Sequence, residues 1–118
     1  MRRDTQWLRE WLERAWAADT SADPDGWSLA NPAWGQCAVT ALTVQDMYGG
    51  TLMRGLVNGV SHYWNVTPDG QEIDLTRDQF GGEFEPVSAQ ERTRSYVLSF
   101  PETSKRYHRL AARMSERG

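Results

Sequence analysis

The chain is poor in the residues that most readily announce a function. Its 118 residues hold one cysteine, Cys37, which excludes an internal disulfide, and two histidines, His62 and His108, too few to complete a familiar zinc ligand set with it. No apolar run comes near the roughly 18 residues of a membrane span, so no membrane partner is expected. Thirteen lysines and arginines stand against 16 aspartates and glutamates, a formal charge of −3 without the basic excess that marks nucleic-acid binders. Arg2 and Arg3 lead straight into a charged segment, with no apolar signal core, which makes the cytoplasm the expected compartment. There is no internal repeat, no low-complexity stretch and no sign of a cofactor.

What the chain does have is material for a core. A hydrophobic fraction of 39% and six tryptophans suit one folded domain spanning residues 1–118. Asp4 or Thr5 can cap a first helix running to about Ala18, in which Trp7, Leu8, Trp11, Leu12, Ala15 and Trp16 form one apolar stripe, read as core. Asp19 to Pro32 is rich in breakers and reads as a loop over the surface of the site. A second helix begins near Gln36 or Cys37 and stops at Gly49-Gly50. Ala38, Val39, Ala41, Leu42 and Val44 leave it almost no polar face, so it is expected to be buried nearly all round.

Thr51 to Val57 and Val60 to Thr67 read as strands joined at Asn58-Gly59, with His62 and Trp64 on one face and Ser61, Tyr63 and Asn65 on the other. In Thr67-Pro68-Asp69-Gly70-Gln71, Pro68 suits the first central position of a type I turn and Gly70 the left-handed residue that closes the loop. That turn pairs Thr67 with Gln71 and Asn65 with Ile73, which brings Asp74 to the His62 face. Slipping the register by one residue would send Asp74 to the other side. Thr76 to Phe80 is a candidate helical turn broken by Gly81-Gly82, and capping-box spacing from Ser88 predicts a short helix to Arg92. Arg94 to Phe100 reads as a strand. Pro101 and Thr103 introduce a terminal helix with Tyr107, Leu110, Ala111 and Met114 inward, and with Lys105, Arg106, Arg109, Arg113 and Arg117 on a solvated face.

The chemistry gathers around Trp34-Gly35-Gln36-Cys37. A thiolate in the first turn of a helix is stabilised by the macrodipole and by backbone N–H groups that lack carbonyl partners. An imidazole can take the thiol proton and return it to a leaving amine, while a carboxylate on the far ring nitrogen fixes tautomer and orientation. Cys37, His62 and Asp74 supply these groups in chain order, with Asn65 the poorer orienting candidate because it points away from His62. The Cys37 N–H is one oxyanion donor, and the Gln36 side chain or an amide between Trp34 and Gln36, including that of Gly35, is the candidate second. Trp34, Tyr63 and Trp64 are candidate walls of a substrate groove. Each residue also has a plainer reading: a free cysteine is often a small core hydrophobe, a strand histidine is often merely half-buried, and Asp74 can cap the turn at Thr76.

Asn31-Pro32, Gly35 to Leu42, His62-Tyr63-Trp64-Asn65, Asp69-Gly70, Asp74 to Arg77, Gln79-Phe80 and Arg106-Tyr107 together resemble the YunG-like family of small uncharacterised bacterial proteins. More distantly, the Gly-x-Cys, His-x-Trp-Asn and Asp-x-Thr elements resemble transglutaminase-like and other papain-like thiol enzymes. That second resemblance implies an α+β, papain-like core, with the cysteine on a central helix packed on a small antiparallel sheet and with N- and C-terminal helices outside. It implies a nucleophile at Cys37, a base at His62 and an orienter at Asp74, acting on peptide or amide bonds. The expectation from another class is a catalytically silent fold that binds a protein partner.

Overall fold

In the computed structural model, which describes residues 5–80 and 85–117, the chain is an α+β protein with a four-stranded antiparallel sheet. The elements run α1 (Gln6–Ala15), a 3₁₀ turn (Ala18–Thr20), α2 (Cys37–Tyr48), β1 (Thr51–Val57), β2 (Val60–Val66), β3 (Glu72–Ile73), a 3₁₀ turn (Arg77–Phe80), β4 (Val87–Arg92), α3 (Arg94–Leu98) and α4 (Pro101–Arg117). Strand order is β3-β2-β1-β4. Asp4, the Gly81-Gly82 break and the side chains of Glu116 and Arg117 lie outside the described residues.

The core forms where α1, α2 and α4 meet the sheet. Leu8, Leu12, Leu42, Leu52 and Leu110 are all fully buried, each contributing on the order of 1.5–3 kcal/mol of apolar burial. All six residues from Val39 to Val44 are buried, so the central helix is enclosed along its middle. Its last turn surfaces, and Met47 is 44% exposed. The α1 stripe is core except for two of its tryptophans: Leu8, Leu12, Ala15 and Trp16 are buried, Trp11 is half-buried and Trp7 is 45% exposed. Trp16 Nε1 donates to Thr40 Oγ1 at 3.0 Å, which satisfies the indole inside the core.

Two glycines fix the frame of the site. Gly35 has φ +72°, and a Cβ there would collide with Ser21 Oγ, so the approach to α2 needs glycine. The loop is locked by Ser21 Oγ donating to Trp34 O at 2.8 Å and Ala22 N–H donating to Gly35 O at 2.9 Å. Gly70, with φ +87°, closes the hairpin after β2. Thr67 N–H bonds Gln71 O at 2.9 Å and Asn65 pairs with Ile73, the register that Pro68 and Gly70 dictate.

Two expectations fail in the C-terminal third. Val87–Arg92 is not a helix but the edge strand β4 on β1, with Ser88 at φ 58° and a bulge opposite Arg54 and Leu56. Pairing with a distant strand overrides the local capping pattern, and exposure of nearly every β4 residue removes the alternation that marks a strand. The stretch from Arg94 is not a strand but α3: Thr93 Oγ1 accepts from Tyr96 N–H at 3.0 Å and Val97 buries against the core. The terminal helix runs as its period predicts, but its basic face is partly engaged. Arg113 donates to Ala15 O at 3.1 Å and pairs with Asp19, while Arg109 donates to Asp19 O at 3.0 Å, tying α4 to the N-terminal segment.

Candidate functional site

Cys37 is the first residue of α2 and is half-buried, with its thiol free. At that position its N–H has no carbonyl four residues back to serve, so the amide and the positive end of the helix dipole lie beside the sulfur. Sγ is 4.0 Å from Ser61 O, at the beginning of β2. The next residue is His62, which is completely buried. Its Nε2 is 2.7 Å from Asp74 Oδ2. The ring is further held by Trp64, stacked at 5.8 Å and 22°, and by Phe80, edge-on at 5.1 Å and 80°.

The electrostatics agree with that geometry. Burial is the largest influence on His62 and works against its charge, yet the hydrogen bond that Nε2 donates to the Asp74 carboxylate, the neighbouring Cys37 and the charges of both push its pKa up to about 9. With Nε2 committed to Asp74, Nδ1 is the remaining ring nitrogen. The imidazole thus stands between a carboxylate bonded to Nε2 and a thiol whose charge it feels.

Other candidates are placed differently. Asn65 Nδ2 donates to Ala41 O at 2.8 Å, pinning β2 to α2, and takes no part in orienting the imidazole. Gln36 is fully buried and its Nε2 donates to Ala17 O at 3.1 Å, so its amide braces the loop and does not turn to the thiol. The N–H groups of Trp34, Gly35 and Gln36 are engaged by Asn31 O, Gln79 Oε1 and Ala33 O, leaving the Cys37 N–H as the donor at the sulfur. Of the three groove aromatics, Trp64 stands beside the histidine and lines a cleft of about 490 Å³ with Glu72, Asp74, Arg77, Glu85 and Pro86. Tyr63 points to the other sheet face against the core, and Trp34 Nε1 is bound to Asp23 Oδ2 at 3.0 Å. They do not line one wall.

Two residues absent from the sequence-based candidates support the site. Gln79 bridges its two sides, accepting from Gly35 N–H through Oε1 at 3.1 Å and from Asn31 Nδ2 through its carbonyl at 3.0 Å. Phe80, the next residue, covers the imidazole. Their signal in the sequence is the Gln79-Phe80 pair at the end of the helical turn expected from Thr76.

The molecule is thus an α+β protein in which a helix-borne cysteine lies beside the start of β2, and the histidine there is bonded to the aspartate that follows β3. The profile of the YunG protein family matches residues 4–118, and the chain belongs to that family. It is 32% identical over 93 residues to the uncharacterized protein YunG of Bacillus subtilis (strain 168), covering 79% of this chain and 75% of that protein. No solved structure matches it. Among the described residues no helix is long and apolar enough to cross a membrane.

Proposed function

We propose that this chain is a thiol-dependent hydrolase or acyltransferase of papain-like, transglutaminase-like architecture, acting on peptide or amide bonds in the cytoplasm. Cys37 thiolate attacks the acyl carbon and its electron pair moves to the carbonyl oxygen, which the Cys37 N–H receives. Collapse of that intermediate breaks the C–N bond, and His62 imidazolium hands its proton to the departing amine. His62 then takes a proton from water or from an acceptor amine as either attacks the thioester, returning the thiol. Asp74 holds the imidazole through Nε2 and balances its charge.

The observation that carries this reading is the fully buried His62 held by Asp74 at 2.7 Å, next in the chain to the Ser61 whose carbonyl lies 4.0 Å from Cys37 Sγ. A histidine kept only for packing gains nothing from burial between two titratable groups. A second reading, a silent module that binds a protein, draws on the exposed Trp7 and Met47 and on the apolar cleft lined by Trp11, Met47, Ala111 and Met114.

One experiment separates them. Iodoacetamide should label Cys37 in the folded protein at pH 6 much faster than it labels a small free thiol, and His62→Ala should slow that labelling ~10²-fold or more. Labelling at the pace of a free thiol, indifferent to the substitution, removes the enzyme reading and leaves the binding module.

A further inference from the structure

β3 is only Glu72 and Ile73, and its last ladder pair is Ile73 with Asn65. Asp74 therefore lies just past the end of the sheet. A cleft of about 420 Å³ separates its segment from the start of α1, with Gln6 and Arg9 on one wall and Asp74 and Arg77 on the other. On this side neither strand pairing nor close packing fixes the chain. Yet Asp74 Oδ2 sits 2.7 Å from His62 Nε2, in a bond whose strength falls steeply with misplacement.

The contacts that hold the segment come from one side chain of α1. Arg9 Nη1 donates to Leu75 O at 2.7 Å, on the residue next to Asp74, and Nη1 and Nη2 meet both Asp78 carboxylate oxygens at 2.9 and 3.0 Å. A planar fork bound at two points of one short segment sets its orientation as well as its position. Arg9 is itself fixed. Its Nε donates to Glu13 Oε1 at 2.8 Å, its guanidinium lies over the Trp16 ring at 5.0 Å, and its side chain is only 16% exposed. Trp16 is in turn bonded to Thr40 of α2, the helix that begins at Cys37. The far end of the gripped segment is Gln79-Phe80, which braces Gly35 and covers the imidazole. Because Asp78 is largely exposed, its ion pair adds little stability by itself; what the bond to Leu75 O adds is placement.

We infer that Arg9 is a positioning residue of the site: through Leu75 O and Asp78 it holds Asp74 where its carboxylate meets His62 Nε2. Its use in a reaction rests on the thiol reading above, but the placement is measurable without one.

NMR titration of the two histidines in the folded protein tests it, with His108, exposed on α4, as the internal reference. The titratable groups acting on the imidazole are Asp74 and Cys37; around Asp74 stand Glu72, Glu85 and Arg77 in one cleft and Arg9 and Asp78 in the other. With Asp74 in place the His62 pKa is about 9. In Arg9→Gln it should fall by about one pH unit or more toward its ordinary 6.5, as the bond to the carboxylate loosens. Arg9→Lys keeps a cation without the fork and should restore part of the difference. The sign identifies positioning, because removing a mere neighbouring cation would raise the His62 pKa. A rise, or an unchanged value beside any loss of stability in urea, overturns the inference. Asp78→Asn keeps the bond to Leu75 O and should give a smaller fall; should Arg9→Gln not fold, no fall in Asp78→Asn overturns it. A fall in Arg9→Gln while wild-type Cys37 reacts with iodoacetamide at the pace of a free thiol keeps the role of Arg9 and removes the enzyme. An unchanged His62 with fast wild-type labelling does the reverse.

Discussion

His62 and Asn65 lie on the same short strand and are both buried, at 0% and 2% exposure, yet they bind opposite kinds of partner. In the second half of β2 and the turn that follows it, Asn65 gives its amide to the Ala41 carbonyl, and Thr67 bonds the Gln71 N–H and the Asp69 carboxylate. Most of those partners are backbone groups, and the bonds hold the hairpin on the helix. In the first half, His62 is gripped by the Asp74 carboxylate and feels the charge of Cys37, both titratable groups. A buried polar group tied to backbone supplies register and packing. One tied to titratable side chains keeps a proton in play, at a cost in desolvation that architecture alone does not require.

The largest effect that sharpens this contrast is expected from Asp74→Asn. The amide keeps an acceptor for the imidazole but removes the charge that favours imidazolium beside the thiolate. Labelling of Cys37 by iodoacetamide at pH 6 should fall ~10²- to 10³-fold. Wild-type labelling kinetics in a folded Asp74→Asn protein would dissolve the distinction between the two halves.

The contrast also predicts how stability depends on pH. His62 has a folded-state pKa of about 9, above its ordinary value of 6.5, so the folded protein holds this proton more tightly than the unfolded chain does. The resulting stabilisation is fully present below pH 6.5 and is lost as pH rises through about 9. Urea unfolding across that window should show a loss on the order of 3 kcal/mol, and Asp74→Asn should flatten it. A wild-type curve as flat as the variant's would mean that the imidazole carries no extra proton in the folded protein.

How far the sequence reveals this arrangement depends on how local each determinant is. Pro68 and Gly70 set the hairpin within a few residues, and with it the pairing of Asn65 with Ile73 that brings Asp74 to His62. The α2 boundaries follow equally from Cys37 at the start and Gly49 at the end. Non-local contacts are another matter. The Ser88-to-Arg92 stretch carries a capping pattern that is locally sound, and only pairing with β1 turns it into a strand. Tyr96, Val97 and Leu98 have strand propensity, but the Thr93 cap and burial of Val97 make them helical. Gln79 reaches Gly35 across 44 residues and leaves no spacing to read.

The smallest effect probes the architectural half. Asn65→Ala removes the amide that serves the buried Ala41 carbonyl and leaves that acceptor without its side-chain donor. The loss should be about 1–2 kcal/mol in urea unfolding, the range for a buried hydrogen bond whose partner stays behind. Because Asn65 exchanges no proton in this pH range, its variant should lose the same amount at pH 6 and at pH 9, giving a curve displaced from the wild type but parallel to it. That parallel displacement is the informative part. If Asn65 instead shared in holding His62, its removal would alter the proton affinity of the imidazole, and the two curves would converge as pH rises and the His62 proton leaves both.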